Sequence, residues 1–323
     1  THKLLAFCEA ALAERYTVHK LHEIEDKTGW LAANGARIRA HAGSGVQADL
    51  MDKLPNLEII ASFGVGYDNI DIAGAKARNI RVTNTPDVLN DAVAELTVGL
   101  MISLARRIPQ SDQYVRRGKW PGGNFGLLSE LTGKTVGILG LGRIGKEIAT
   151  RLQAMKMRVV YHGRRQQPHT PYIYYDDLED MARDSDWLVV IAPGGKGTEG
   201  IVSRKVLEAL GPDGYVVNVA RGTLIDEPAM LELLQNGGLG GAALDVFVDE
   251  PDVPEAFMHL QNEGFGHVWL VDEHIERQTC PKPSCTCRMW CCHHIKAAPR
   301  TRPATPWERY WSPIWSGILP RNR

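Results

Sequence analysis

Cysteine is nearly absent from most of this chain: after Cys8 none occurs until Cys280. That gap excludes a disulfide framework across the intervening residues and fits a reducing, cytoplasmic compartment. Long apolar runs are missing too. Nothing approaches the roughly 20 residues that a membrane span needs, and the opening Thr1-His2-Lys3-Leu4-Leu5 holds no signal-peptide core. It also lacks an initiating Met, so a residue or more is expected ahead of it. Charge of one sign is not in excess: 37 Lys and Arg against 38 Asp and Glu leave a net charge of −1. No general field for nucleic acid or an anionic membrane surface is available, and neither is expected as a partner. With 323 residues, 44% of them hydrophobic and 23% charged, the chain has enough material for two domains with separate cores.

Short β/α units fill the first part. Strands are expected at residues 3–7, near 36–40, in "LEIIASFG" and in "IRVTNTP", which makes residues 1–95 a small α/β domain. An amphipathic helix in "DAVAELTVGLMISLARRI", apolar at Val93, Leu96, Leu100 and Leu104, leads onward. The strongest local signal follows. "KTVGILGLGRIGKEIATRL" reads as a strand over 135–139, a turn with Gly140, Gly142 and Gly145 in G-x-G-x-x-G spacing, and a helix carrying Ile144, Ile148 and Leu152. In such a turn the first glycine permits the bend, the second admits a pyrophosphate and the third lets helix pack on strand. Backbone N–H groups of the turn and the helix start, from Gly140 through Leu141, Gly142, Arg143 and Ile144 to Gly145, then form the anion cradle.

A bare motif of this kind is weak evidence. Here a strand precedes it, a helix follows it, and a second strand, "MRVVYH", comes next, so a dinucleotide site is favoured over a turn that merely packs tightly. The alternation continues through "WLVVIAP", "SRKVLEAL", "GYVVNVAR", "EPAMLELLQNG" and "GAALDVF". Near-continuous apolar strands between helices mean a parallel sheet covered on both faces. The expected class is α/β, with two Rossmann-like domains and doubly wound parallel sheets: a substrate domain over 1–95, a nucleotide-binding domain over 96–260, and an aberrant tail over 261–323. Cofactor choice rests on the end of the second strand, where an acid would accept from a ribose 2′-hydroxyl and arginine would pair with a 2′-phosphate. "YHGRRQQ" offers Arg164 and Arg165 and no acid, which points to NADP, with NAD as second choice; the plainer reading is a solvated basic turn.

Four stretches in this order, "ASFGVGYDNIDIAGAKARNIRVTNTP", "GKTVGILGLGRIGKEIA", "VVNVARGTLIDEPAML" and "GAALDVFVDEP", resemble the D-isomer-specific 2-hydroxyacid dehydrogenase family, and within it the glyoxylate and hydroxypyruvate reductases. The resemblance implies that Arg221 holds the carboxylate and keto oxygen of a small 2-oxoacid, a bidentate task suited to guanidinium. It implies that Gly64, Val65 and Gly66 form a substrate-carboxylate loop and that Glu250 pairs with a catalytic histidine and raises its pKa. Asp245 is expected to orient the nicotinamide carboxamide, and Thr97 and Ala220 to touch the cofactor. Taken singly, Arg221 reads as a phosphate contact, Glu250 as a loop acid before Pro251, and Asp245 as a strand cap. The family also implies a homodimer built across the nucleotide-binding domains. An NADP-binding sensor without catalysis is the alternative function.

The family's histidine sits after the Glu250 motif, in a segment like L-P-N-V-V-L-x-P-H, and no such segment is present. Instead "CPKPSCTCRMWCCHH" packs five of the six cysteines into residues 280–294, and residues 277–323 carry nine Lys or Arg against one acid, Glu308. Zinc is disfavoured, since the paired C-x2-C knuckles of a structural site are missing, and no metal site is assigned. The genetic code offers another explanation. Met289 and Trp290 have single codons, and reading from the third base through Met289, Trp290, Cys291 and Cys292 forces Val-Val-Leu. Flanking codons permit Pro-Asn before it and Pro-Pro-His after it. The tail therefore reads as the family's C-terminus translated out of frame, after a local duplication echoed in "QNGGLG" at 235 and "QNEGFG" at 261. Weak NADPH binding or a misfolded tail, with little reductase activity, is the expectation for such a chain.

Overall fold

The computed structural model describes residues 3–250, 252–255 and 257, and the backbone of 267–270. The cysteine-rich run at 280–294, and with it the reading of the tail, lies outside the described residues. One compact unit ends at Val88 and the other begins at Leu89.

The first unit carries helices α1 (Ala6–Ala13), α2 (Lys27–Asn34), α3 (Ala48–Asp52) and α4 (Ile72–Ala77) around strands β1 (Ala40–Ala42), β2 (Ile59–Ala61) and β3 (Arg81–Thr83), parallel in the order β1-β2-β3. Its core gathers Leu31, Val46, Met51, Leu54, Ile60 and Ile70, and a smaller cluster holds Cys8, Leu12 and Ala61. Asp26 and Asp71 cap α2 and α4 by accepting from the N–H of Gly29 and Gly74, both at 2.9 Å.

Two expectations are corrected here. Residues 3–7 are no strand; the helix starts at Ala6, because the alanine-rich "AFCEAALA" propagates a helix and buries Cys8 and Leu12, four residues apart. The next strand begins at Ala40, after a 3-10 turn over Gly35–Arg37, where its register with Ile59 starts.

The second unit is built on a seven-stranded parallel sheet. Its strands are β4 (Thr135–Leu139), β5 (Arg158–His162), β6 (Ile173–Tyr175), β7 (Trp187–Val190), β8 (Tyr215–Asn218), β9 (Gly241–Leu244) and β10 (His267–Leu270), in spatial order β10-β9-β8-β7-β4-β5-β6. Strand order reverses between β4 and β7, the switch point of a doubly wound sheet. Alternate residues point to opposite faces. Val136, Ile138, Tyr161, Trp187, Val189 and Val217 meet α5 (Asn90–Arg106) and α7 (Arg143–Ala154) on one face. Leu139, Val160, Leu188, Val190, Val216 and Leu244 meet α8 (Leu178–Arg183), α9 (Arg204–Leu210) and α10 (Glu227–Asn236) on the other. Right-handed crossovers require this split, since the chain runs one way from β4 to β6 and the other way from β7 onward.

The expected helix at 91–108 is α5, followed by α6 (Ile108–Arg116). Its buried stripe is Ala94, Thr97, Leu100, Met101 and Leu104, so Val93 and Leu96 lie at the stripe's edge. Strand β10 falls where the sequence shows no strand periodicity; four residues are too few to carry one. Among the described residues no helix is long and apolar enough to cross a membrane.

Ile148 is fully buried between α7 and the sheet. Ile148→Ala is expected to cost about 2–5 kcal/mol, the usual penalty for a buried large-to-small change. Urea titration checks this against Lys146→Ala on the exposed face of the same helix, which is expected to stay within roughly 0.5 kcal/mol of the parent.

Candidate functional site

In a parallel sheet every strand delivers the residue after it to one edge, and here most of the sequence-predicted residues of the second unit follow strand ends, Thr97 in α5 being the exception. Gly140 follows β4, Arg164 and Arg165 follow β5, Ala220 and Arg221 follow β8, and Asp245 follows β9. Backbone bonds continue the ladder past the strand ends: Gly140 N–H to His162 O at 2.9 Å, Ile191 N–H to Leu139 O at 3.0 Å, and Asp245 N–H to Asn218 O at 3.0 Å.

The three glycines of the turn differ in their surroundings. Gly140 has φ +105°, and a Cβ there would lie 2.8 Å from Ala192 Cα and N, the chain emerging from β7. At Gly145 a Cβ would lie 2.2 Å from Gly140 O. At Gly142 a Cβ would meet nothing within 4 Å. The first and third positions are thus closed by the protein itself and the second opens to solvent. Gly142 is also the N-cap of α7 and brings no side-chain acceptor to the helix start. The N-terminal end of a helix carries partial positive charge, and beside open space it favours an anion. Arg143 is exposed, Ile144 half-buried and Leu141 buried.

Beyond β5, His162 stands where an acid would bind a ribose; its Nδ1 lies 3.0 Å from Tyr175 O. Arg164 and Arg165 are exposed. Gln167, three residues after Arg164, donates from Nε2 to Leu141 O in the glycine turn at 2.5 Å.

The loops after β8 and β9 are joined. Asn218, 1% exposed, accepts from Ala220 N–H at 3.1 Å and donates from Nδ2 to Arg221 O at 2.8 Å, so a buried amide shapes the Ala220–Arg221 turn. Arg221 is exposed, with Nη1 donating to Ala220 O at 2.6 Å. A Cβ on Gly222 would lie 2.0 Å from Phe247 C, so the backbone beside Arg221 rests on the loop that carries Glu250. That loop is held by two carboxylates. Glu250 accepts from Phe247 N–H at 3.1 Å, and Glu227, on the first turn of α10, accepts from Val248 N–H at 2.9 Å. Burial pushes the Glu227 carboxyl above its ordinary 4.5; the Asp249 charge adds to the rise and the Val248 N–H opposes it. Asp245 is half-buried beside this loop.

Thr97 is fully buried in α5, with its hydroxyl donated to Val93 O at 2.7 Å. In the first unit, the 64–66 loop follows β2. Gly64 O accepts from Thr85 N–H at 3.0 Å and Val65 O from Asn84 Nδ2 at 2.9 Å, so both carbonyls turn toward the segment after β3.

Sequence reasoning missed Gln167, Asn218, Gly222 and Glu227. Gln167 and Asn218 stand beside residues that were singled out, but an amide carries no motif of its own. Glu227 reads as a first-turn acid of α10, and nothing local ties it to Val248.

Residues 98–265 match the family model described as the D-isomer specific 2-hydroxyacid dehydrogenase, NAD binding domain. The chain belongs to the D-isomer-specific 2-hydroxyacid dehydrogenase family. As a member of that family it is an NAD(P)-dependent oxidoreductase. It is 44% identical over 260 residues to a glyoxylate/hydroxypyruvate reductase A of Arabidopsis thaliana, covering 80% of this chain and 83% of the relative. It is 43% identical over 259 residues to the hydroxyphenylpyruvate reductase of Plectranthus scutellarioides, covering 79% and 83%. Among solved structures, the NADPH-dependent glyoxylate/hydroxypyruvate reductase of Sinorhizobium meliloti, in complex with NADP and malonate, is similar with a TM-score of 0.75 at 40% identity, covering 83% of each chain.

Gly142→Ala and Gly145→Ala are expected to part company. The first adds a methyl to open space and is expected to weaken dinucleotide binding while leaving Tm within a few degrees; the second drives a methyl into Gly140 O and is expected to lower Tm sharply. Calorimetry and dinucleotide titration of both variants check the pair.

A pH prediction follows from Glu227. A carboxyl with a raised folded pKa is protonated in both states below its unfolded value, so its contribution is whole there and is lost as pH rises through the folded pKa. Glu227→Gln keeps an acceptor for Val248 N–H and carries no charge. Its urea midpoint relative to the parent is expected to climb as pH rises above the ordinary carboxyl value of 4.5. A flat difference over that range would refute the burial effect.

Proposed function

We propose that this protein uses NADPH to reduce a small 2-oxoacid, glyoxylate or hydroxypyruvate, to the D-2-hydroxyacid. The observation that carries the cofactor choice is the pair of exposed guanidiniums at Arg164 and Arg165, with no acid at the end of β5, on a loop bonded to the glycine turn. Arginine pairs bidentately with phosphate oxygens, and the open space at Gly142 beside the α7 N-terminus suits the pyrophosphate. In this reading Leu141, Gly142, Arg143, Ile144 and Gly145 hold the pyrophosphate, Arg164 and Arg165 the 2′-phosphate, and Thr97, Ala220 and Asp245 the nicotinamide half. Bound NADPH supplies the hydride; the protein orients and polarises.

Arg221 holds the substrate's carboxylate and keto oxygen, and Gly64, Val65 and Gly66 present N–H groups to the carboxylate. The preference for a small acid draws on the Arabidopsis and Sinorhizobium relatives, while the Plectranthus relative is named for an aromatic substrate. The resemblance assigns the proton donor to a histidine that would pair with Glu250, and the sequence holds no segment like the family motif that carries it. The chain as it stands is therefore expected to bind NADPH weakly, or to misfold in its tail, and to show little reductase activity. A homodimer in the cytoplasm completes the reading. The apolar side chains left uncovered at Val115, Trp120 and Leu127, 50%, 63% and 103% exposed, suit a face between copies.

The test is a paired assay. The chain as it stands is compared with one in which Leu260 is followed directly by the shifted-frame reading from Cys287 onward. The re-read chain is expected to reduce glyoxylate or hydroxypyruvate with NADPH at roughly 10²–10⁴ times the rate of the first, the usual contribution of a general acid. Equal rates would overturn the loss of the donor. Absence of NADPH binding in both would overturn the whole reading.

A further inference from the structure

Between β5 and β6 the chain makes a loop whose fixed points are all supplied by groups other than its two arginines. His162 Nδ1 lies 3.0 Å from Tyr175 O, and Tyr174 Oη donates to Gly163 O at 3.2 Å. Gln167 N–H donates to Tyr161 Oη at 2.8 Å, while Gln167 Nε2 reaches across to Leu141 O at 2.5 Å. Tyr161 is 1% exposed and its ring lies against Tyr174, with centroids 5.3 Å apart, so the anchors are rigid. Arg164 and Arg165, lying between the anchored positions, point outward and make no ion pair among the described residues.

We infer that Gln167 is a specificity-determining positioning residue: by tying the arginine loop to the glycine turn it fixes the spacing between the 2′-phosphate cations and the pyrophosphate cradle. The inference rests on the NADP reading above. A dinucleotide with a 2′-phosphate must satisfy both anion sites at once, and its affinity depends on their separation being set beforehand. Each arginine side chain loses rotamer entropy when its guanidinium is held. If the backbone beneath is also free, ordering it is charged to binding only when the phosphate is engaged. NAD has no group for that site and does not feel the tie. The same bond ends on Leu141 O, a carbonyl of the turn itself, so nothing else is needed to transmit position from loop to cradle.

The experiment is titration of NADP+ and NAD+ against the full chain, the Gln167→Met variant, which keeps volume and removes the donor, and an Arg164→Ala/Arg165→Ala variant. Gln167→Met is expected to raise Kd for NADP+ by roughly five-fold, the factor that a net hydrogen bond of about 1 kcal/mol corresponds to. Kd for NAD+ is expected to stay within about two-fold. Tyr174→Phe, which removes only the hydroxyl that holds Gly163, is expected to shift the ratio in the same direction and serves if Gln167→Met does not fold. Equal weakening of both cofactors, or no change in either, overturns the role of Gln167. If the double arginine variant keeps the parent's NADP+ to NAD+ ratio, the cofactor reading itself fails, a different result from failure of Gln167 alone.

Discussion

The second unit depends on a contact that no side chain could share. Gly140 O occupies the place where residue 145 would put its first side-chain carbon, and the Ala192 backbone does the same for residue 140. Helix α7 therefore approaches the end of β4 as closely as bare backbone allows, at the point where the sheet changes direction. The consequences run both ways. Toward the core, the approach lets Ile148 and Leu152 reach the face made by Val136 and Ile138. Toward solvent, the start of α7 lies beside the open space at Gly142, whose missing side chain provides no cap to the helix.

Around that contact the chain is arranged by rules that act over short distances. Period-two alternation divides the sheet's side chains between two helical layers, and handedness decides which helices go to which face. Aspartates at 26, 71, 177 and 226 close helix starts in both units. The functional loops are more loosely specified and are fixed by buried polar groups: Asn218 under Arg221, Glu227 under Val248 and the Tyr161 hydroxyl under Gln167. A buried polar atom costs little only when its partner is in place, so each of these groups favours one loop geometry over its neighbours.

Much of this was legible beforehand, for identifiable reasons. Strands β4, β7 and β8 are apolar enough on both faces to show without context, and the glycine spacing encodes a three-way steric demand in a few letters. The roles proposed for Arg221, Glu250 and Asp245 rest on family motifs; taken alone, none announces a role. Residues 3–7 misled because a short apolar run fits either period, and alanine decided for the helix. The roles of Gln167 and Glu227 could not be read, because both act through partners distant along the chain, Leu141 and Val248. Sequence shows a side chain's chemistry and conceals its neighbour.

Cys8, on the inner face of α1, is fully buried, and the next thiol along the chain is Cys280. A thiol-selective maleimide taken up by the native protein at a cysteine therefore marks the segment beyond residue 279. The burial of a single sulfur in the first unit turns the remaining cysteines into a tracer for the one part of the chain whose reading frame is in question.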